Sequence, residues 1–173
     1  MTALPQDVQG AGLVPGCLSC ELLAGRRSVP GGTIWEDDFW RLESTVSPVL
    51  WRGFLILKLK RHGEHLAELT PAEAAALGPA IRASCAALAM VLAPTKIYVA
   101  SFGDGVRHIH FWLLPRPRGT RPGLHWVLLR LDLRGLLVRL GFRRWIVPDE
   151  EVADLAAQVR RALEALPRAW QVE

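Results

Sequence analysis

The sequence predicts an α+β fold: a mainly antiparallel sheet with one long crossover helix and a C-terminal helical extension. Stretches with the two-residue period of β-strands lie on both sides of one long alanine-rich stretch. A short glycine turn joins the last two strands, and this arrangement favours antiparallel pairing. We therefore predict a domain over residues 1–116, with an irregular leader over 1–15, and an extension over 117–173 packed on the same domain.

The first third of the chain is expected to form a short helix, a hairpin and a buried strand. Residues 21–25 follow a Cys-Leu-Ser-Cys turn and end at a glycine, as short helices often do. Residues 33–43 alternate around Asp37-Asp38, which we place at a hairpin turn. Residues 53–60 are apolar until their basic end, and they deliver His62 just beyond the predicted strand.

The long helix has clear start and stop signals. Thr70 is a suitable N-cap, Pro71 fits the first helical position, and Glu73 completes a capping box. The alanine-rich stretch then runs to Ala93, and Pro94 prevents its continuation. The sequence therefore predicts one helix of about six turns in the middle of the domain.

Two further strands follow the helix. Residues 96–102 form the first, and Gly103-Asp104-Gly105 joins it to a second that contains a His-x-His pattern. Because side chains alternate along a strand, His108, His110 and Trp112 are expected to point the same way. Imidazole packs poorly in an apolar core, so something polar is expected opposite these histidines. Two half-buried histidines that are satisfied by backbone and water are the alternative, and for an isolated His-x-His pattern this alternative is favoured.

The C-terminal third is less regular. Residues 116–123 form a loop rich in proline, glycine and arginine. Residues 124–142 are apolar with interspersed arginines, and their period is ambiguous; we expect a partly helical segment that covers the core or meets a partner subunit. Residues 148–166 should form a final helix, because acidic residues occupy its first turn.

Composition narrows the class of protein. The 173 residues are 50% hydrophobic and carry a net charge of +4, which suits one domain with a sizeable core and a phosphate-bearing ligand. Because the arginines alternate with leucine and valine, a nucleic-acid surface is only weakly indicated. No uncharged apolar run of about 18 residues occurs, and no secretory signal is recognised. We therefore expect a cytoplasmic protein without a membrane partner.

Four potential metal ligands are spread over three elements of the chain. Cys17, Cys20, His62 and His108 together offer the Cys₂His₂ set that tetrahedral zinc accepts. Since all four ligands would come from the protein, such a zinc ion would be structural. His65 is an alternative to His62, and a redox-active cysteine pair is the competing interpretation of the Cys-x-x-Cys pattern.

If His108 binds a metal, His110 becomes the candidate nucleophile. It lies beside the glycine loop, where the backbone N–H groups around Gly105 and Val106 can face a phosphate. An attacking imidazole needs its other nitrogen protonated and held by an acceptor, commonly a backbone carbonyl. Additional positive charge for the phosphate would come from nearby basic side chains: Arg107, Arg116 or Lys60.

The chain resembles the histidine-triad (HIT) superfamily of nucleotidyl hydrolases and transferases over about residues 16–116. The motifs follow the family order: Cys-x-x-Cys, a Glu-Asp-Asp hairpin, the stretch from Gly53 to His62, the segment HGEHLAELTPAE from His62 to Glu73, and finally H-x-H-x-x-x-x-P-R. Their combined order and spacing make this resemblance far more specific than any single motif.

The resemblance implies a HIT fold, usually dimeric, and a two-step reaction through a nucleotidyl-histidine. His110 matches the family nucleophile, and in zinc-bearing members the metal is held by residues that match Cys17, Cys20, His62 and His108. Residues 1–116 would then be a nucleotide-binding domain with a structural Zn²⁺. The implied partners are a nucleotide or dinucleoside polyphosphate and a second copy of the chain.

Two positions depart from the family pattern. Trp112 replaces the third histidine of the triad, and Phe54 replaces the histidine after the glycine that opens the buried strand. Tryptophan donates a hydrogen bond but cannot transfer a proton, so general acid–base help of about 10²–10⁴-fold would be missing. The acidic ribose-binding residue of the family is also not clearly present, and Glu43 and Thr45 are its nearest candidates.

Three functions are therefore kept open. The first is cleavage or transfer at the α-phosphate of a nucleotide, dinucleoside polyphosphate or phosphoramidate, with His110 attacking and Trp112 lining the phosphate pocket. The second is a zinc-stabilised module that binds nucleotides or a partner without catalysis. The third and weakest is a Cys₂His₂ domain that uses its arginine-rich segment on nucleic acid, which would show a steep salt dependence.

Overall fold

The computed structural model describes residues 12–167, and they form one five-stranded antiparallel sheet covered by helices. The strands lie in the order β1-β2-β3-β5-β4, so β1 and β4 are the two edges. Their bounds are β1 Thr33–Glu36, β2 Trp40–Ser44, β3 Leu55–Leu59, β4 Lys96–Ala100 and β5 His110–Arg116. The sequence prediction of an α+β fold with an antiparallel sheet is confirmed.

Within residues 12–167, four α-helices accompany the sheet. They are α1 Leu18–Leu23, α2 Pro71–Leu92, α3 Leu124–Arg139 and α4 Asp149–Glu164, and short 3₁₀ helices occupy Leu66–Glu68 and Arg143–Trp145. The start of α2 is as predicted, because the Thr70 side chain accepts from the Glu73 backbone N–H while the Glu73 carboxylate accepts from the Thr70 N–H. The predicted hairpin is also present, with the Asp37 side chain accepting backbone N–H groups across the turn.

The main core lies on one face of the sheet, under α2 and α4. Alternate residues of the central strands point to this face and are fully buried, among them Leu57 of β3 and Leu113 of β5. Ala83 and Leu88 of α2 and Val159 of α4 pack against them. By length and composition α2 is also apolar enough to cross a membrane, and in this fold one of its sides packs on the core.

The opposite face of the sheet carries a second, smaller apolar cluster and the functional groups. Here Trp51 and Leu114 pack with Val127 of α3, and the Trp51 indole N–H donates to the Pro115 carbonyl at 2.8 Å. On this face Ile56 and Lys58 of β3 and His110 and Trp112 of β5 line a cavity together with residues of α1.

One strand boundary differs from the prediction in a way that matters for the site. The regular part of β5 begins at His110, so His108 lies just before the strand instead of inside it. The chain there is still fixed, because the Ile109 N–H donates to the Gly63 carbonyl and the Ile109 carbonyl accepts from Leu59. His108 is consequently free to turn toward α1 while His110 keeps the orientation of the strand.

Candidate functional site

Four side chains from separate elements converge beside the start of β5. The potential ligand atoms of Cys17, Cys20, His62 and His108 all lie within 4.8 Å of one another. The Cys20 sulfur is 3.4 Å from His62 Nδ1 and 3.6 Å from His108 Nδ1, and the Cys17 sulfur is 3.6 Å from the same His108 nitrogen. The ligand set chosen from the sequence is therefore brought together, whereas the alternative His65 stays outside this group.

The two imidazoles of this group present the same nitrogen to it. The His108 Nε2 donates to the Leu59 carbonyl at 2.8 Å, so the lone pair of the ring lies on Nδ1. The Nε2 of His62 lies 3.6 Å from a Glu64 carboxylate oxygen, again on the side away from the cysteines. Acceptors placed behind the ring in this way commonly orient metal-bound histidines and fix their tautomer.

This donor set fits a zinc ion. Two thiols and two imidazole nitrogens are the soft and borderline ligands that zinc prefers, and with four protein ligands no position remains for a substrate. Burial lowers the pKa of His108 to about 4, so its ring is neutral at physiological pH and can bind a cation. The geometry thus favours a structural metal centre over a redox pair, and both cysteines are free thiols.

His110 is held in the tautomer that nucleophilic attack requires. Its Nδ1 donates to the His108 carbonyl at 2.6 Å, so the lone pair resides on Nε2. Burial also lowers the pKa of His110 below its usual value, which keeps the ring neutral near pH 7. The side chain is only 8% exposed, yet it lines two cavities.

These two cavities meet at His110 on the face of the sheet opposite the main core. The larger has a volume of about 810 Å³ and lies under α3, and the smaller has about 230 Å³ and lies under α1. Both are lined by Phe54, Val106 and Trp112 besides His110. The larger cavity adds the glycine loop and apolar residues of α3, while the smaller adds Leu18, Leu22, Thr45 and Ile56.

An aromatic cluster forms the wall between the cavities. The rings of Phe54 and Trp112 pack edge to face with centroids 5.0 Å apart, and Phe102 contacts the other side of Trp112 at the same distance. Phe54 and Trp112 are the two positions at which the chain departs from the HIT pattern. The two replacements are therefore in contact, and together they make this wall more apolar than a pair of histidines would.

The other predicted substrate-binding residues divide into two groups. Gly105 and Val106 line the larger cavity, as expected for the glycine loop. Arg107, in contrast, is exposed and lines neither cavity. Lys60 and Arg116 are also occupied elsewhere, because they donate to the carbonyls of Asp37 and Thr120.

Two basic residues at the cavities were missed by the sequence analysis. Arg139 of α3 lines the larger cavity together with Asp132, and no pattern placed this helix over His110. Lys58 lines the smaller cavity, where it is fully buried and forms a 2.7 Å ion pair with Glu43. Glu43 is thus engaged inside the sheet, and of the two ribose-binding candidates only Thr45 reaches a cavity.

Comparison with known proteins rests on structure. No family model matches the sequence, and no curated protein is similar enough to count as a relative. Among solved structures, a hypothetical histidine triad nucleotide-binding protein from Sulfolobus tokodaii aligns with a TM-score of 0.65 and 16% identity, covering 88% of this chain and 95% of its own. A zinc-bound histidine triad family protein from Mycobacterium smegmatis aligns with a TM-score of 0.62 and 20% identity, covering 86% and 94%.

A more distant comparison extends this group. A uridylyltransferase aligns with a TM-score of 0.57 and 20% identity, and the match covers 87% of this chain but 46% of that larger protein. The chain therefore has the fold of the histidine-triad proteins.

Proposed function

We propose that the protein is a nucleotidyl hydrolase or transferase that acts at the α-phosphate of a nucleotide, a dinucleoside polyphosphate or a nucleotide phosphoramidate. The observation that carries this proposal is the state of His110. Its Nδ1 is bound to a backbone carbonyl, and the ring lies where two cavities of different size meet. An imidazole held in this way is a ready nucleophile for phosphorus.

The two cavities suit the two parts of the substrate that are joined at the α-phosphate, the nucleoside and the leaving group. The smaller cavity has apolar walls from Leu22 and Ile56 for a nucleobase, with Thr45 as a hydroxyl for the sugar. The larger cavity contains the glycine loop and Arg139, whose charge suits phosphates and a leaving group. A substrate that spans both cavities would place its α-phosphate beside His110. The zinc-bound and nucleotide-binding histidine triad structures support this assignment.

The first chemical step follows from the tautomer of His110. The lone pair on Nε2 forms a bond to the α-phosphorus, and the bond from phosphorus to the leaving group breaks. The leaving group departs with that electron pair and takes a proton from water. Backbone N–H groups around Gly105 and Val106 stabilise the negative charge on the phosphoryl oxygens. The hydrogen bond from Nδ1 to the His108 carbonyl stabilises the positive ring that forms.

The second step returns the enzyme to its starting state. Water, or another acceptor hydroxyl, attacks the phosphorus of the nucleotidyl-histidine, and the nitrogen–phosphorus bond breaks to restore the neutral ring. Trp112 lines the pocket where the third histidine of the triad would lie, and its indole can donate a hydrogen bond but no proton. Proton transfer must therefore involve solvent, so we expect slow turnover and an intermediate that accumulates.

Zinc has a structural part in this proposal. Bound to Cys17, Cys20, His62 and His108, it would link the start of α1 to the end of β3 and the start of β5. Its ligand shell would be complete, so it would not contact the substrate. By fixing His108 it would also fix the carbonyl that orients His110.

The same proposal includes a homodimer in the cytoplasm. β4 is an edge strand with unpaired backbone groups on its outer side, and α2 exposes small apolar residues along part of its length. These exposed residues include Ala74, Ala75 and Gly78. Sedimentation equilibrium of the purified protein measures the assembly directly: a monomer mass would contradict the dimer and leave the chemistry of His110 to be tested separately.

The decisive experiment is to trap the covalent intermediate. Incubation with an α-³²P-labelled dinucleoside polyphosphate or adenosine phosphoramidate, followed by an alkaline quench, should leave label on the protein, because phosphoramidates survive base. The variant His110→Ala should lose all label, whereas the matched variant His65→Ala, whose histidine lies outside the metal group, should keep it. Absence of label and of turnover across such a panel would contradict the enzymatic proposal.

A second candidate function is a nucleotide-binding module without catalysis. The contact between Phe54 and Trp112 favours it, because both positions that would supply additional histidines are aromatic. Isothermal titration calorimetry with nucleoside monophosphates distinguishes the two. Binding that persists in His110→Ala, together with no labelled intermediate in the unmodified protein, supports the module.

A further inference from the structure

The helix α3 is apolar on two opposite faces. One face carries Val127 and Leu131, which pack on Trp51 and Leu114 above the sheet. The other carries leucines at intervals of four, three and four residues, the spacing that keeps side chains on one stripe of a helix. We call this set the leucine stripe: Leu129, Leu133, Leu136 and Leu140. Leu136 also lines the larger cavity, so the stripe borders that cavity.

The leucine stripe is exposed in spite of its composition. Each of its side chains is more than half exposed, and Phe142, which follows the helix, is 57% exposed. From Leu129 to the C-cap Leu140 the helix rises about 17 Å, and the stripe forms one continuous apolar strip over this length instead of scattered single residues. A contiguous apolar strip, unlike scattered single apolar residues, is a candidate interaction surface.

The charges around the leucine stripe identify the kind of partner. Exposed arginines flank it on the helix and continue into the segments on either side: Arg121, Arg130, Arg143 and Arg144. One exposed carboxylate, Asp132, lies among them in the described residues 121–144. None of these arginines forms an ion pair with a carboxylate in the part of the chain that the structure describes. The strip is therefore apolar in its centre and strongly positive at its rim.

A second copy of the chain does not match this surface. Two stripes placed face to face would cover roughly 500 Å² in total, well below the roughly 1,200 Å² of a stable interface. Such pairing would also bring the arginine rims of the two copies together, at a cost in electrostatic free energy. An anionic surface with an apolar interior matches both properties.

We propose that α3 docks the protein on the surface of an anionic lipid bilayer. The helix would lie in the plane of the interface, with the leucine stripe and Phe142 inserted among the acyl chains and the arginines on the lipid phosphates. Its inner face would keep its contacts with the sheet, so docking requires no unfolding. Because the sequence showed no long apolar run, we expected no membrane partner; exposure of the stripe in the fold changes that expectation.

Vesicle sedimentation tests the proposal independently of catalysis. The full-length protein should sediment with vesicles of equal parts phosphatidylglycerol and phosphatidylcholine, and at least tenfold less with phosphatidylcholine alone or in 0.5 M NaCl. Leu133→Glu should reduce the partition coefficient on anionic vesicles at least tenfold. Leu66→Glu is the matched control, because Leu66 is 51% exposed, Leu133 is 53% exposed, and both variants change the charge equally.

Three outcomes would overturn the proposal. They are no sedimentation of the unmodified protein with anionic vesicles, equal loss of binding in Leu66→Glu, and a change of oligomeric mass in Leu133→Glu measured without lipid. The last would show that the leucine stripe joins two copies of the chain. Arg130→Glu supplies a second variant that leaves the stripe intact, and it should weaken binding several-fold through charge alone. Equal circular dichroism melts for all variants confirm that each is folded.

Discussion

His108 and His110 are two residues apart and both are buried, but their hydrogen bonds give them opposite roles. The Nε2 of His108 donates to the Leu59 carbonyl, which leaves Nδ1 toward the cysteines, whereas the Nδ1 of His110 donates to the His108 carbonyl, which leaves Nε2 toward the cavities. Backbone carbonyls thus select the tautomer of each ring. The metal group and the cavity are therefore separate sites, and the backbone carbonyl of His108 joins them.

Removal of a metal ligand should have the largest effect on zinc content and on the free energy of unfolding. Cys17→Ser should reduce bound zinc from about one equivalent to nearly none and lower the free energy of unfolding by on the order of 5 kcal/mol, because metal binding free energy is folding free energy. His110→Ala should keep a full equivalent. Elemental analysis and thermal melts measure both. Full retention of zinc in Cys17→Ser would refute the ligand set.

The next effect concerns the buried ion pair beside the smaller cavity. Lys58 lies opposite His110 in the sheet and its ammonium is 2.7 Å from the Glu43 carboxylate. Lys58→Met would leave this buried carboxylate with Arg41, whose Nη1 lies 3.7 Å from it, as its remaining ion-pair partner among the described residues, at a cost of up to about 3 kcal/mol. The double variant Glu43→Leu/Lys58→Met should recover most of that loss in urea unfolding. A double variant as unstable as the single one would show that the pair is stabilising on balance.

Which of these features could be foreseen from the sequence depends on how local their causes are. The four metal ligands follow from donor chemistry together with ordered motifs, and the α2 cap from three adjacent residues. Lys58 looks like the exposed basic end of a strand, and only its cross-strand neighbours reveal that Glu43 neutralises it. The segment after residue 123 has no clear period because α3 is apolar on two faces, so its place above His110 required tertiary contacts.

A smaller effect is expected on turnover when the aromatic residue beside His110 is changed. Trp112→His places a group that can transfer protons beside His110, and under the proposed mechanism it should increase turnover about 10- to 100-fold. This change corresponds to about 1.4–2.7 kcal/mol of transition-state free energy. Steady-state hydrolysis of a phosphoramidate measures it, with zinc content unchanged as the control. Unchanged turnover and an equally long-lived intermediate would show that proton transfer does not limit the rate.

The smallest effect is expected at the contact through which α2 supports the segment that carries the metal ligand His62. The guanidinium of Arg61 binds the Glu73 carboxylate with two hydrogen bonds of 2.6 and 2.8 Å, and it also donates to the His62 carbonyl at 3.2 Å. Glu73 therefore holds the segment that carries His62 through Arg61. Glu73→Gln should lower the free energy of unfolding by about 1 kcal/mol and weaken zinc binding slightly, while labelling of His110 stays the same.

The pH dependence of the same contact has a definite sign. Burial alone would raise the pKa of Glu73, but Arg61 and the Thr70 N–H outweigh it and lower the pKa below the ordinary value of 4.5. A carboxyl whose pKa is lower in the folded state stabilises the fold above its unfolded pKa, and this contribution disappears as the pH falls through the folded pKa. Glu73→Gln should therefore lose stability at pH 7 but match the unmodified protein at pH values below the folded pKa. An equal difference at both pH values would mean that packing, and not charge, makes Glu73 important, and the support of His62 by α2 would then be steric.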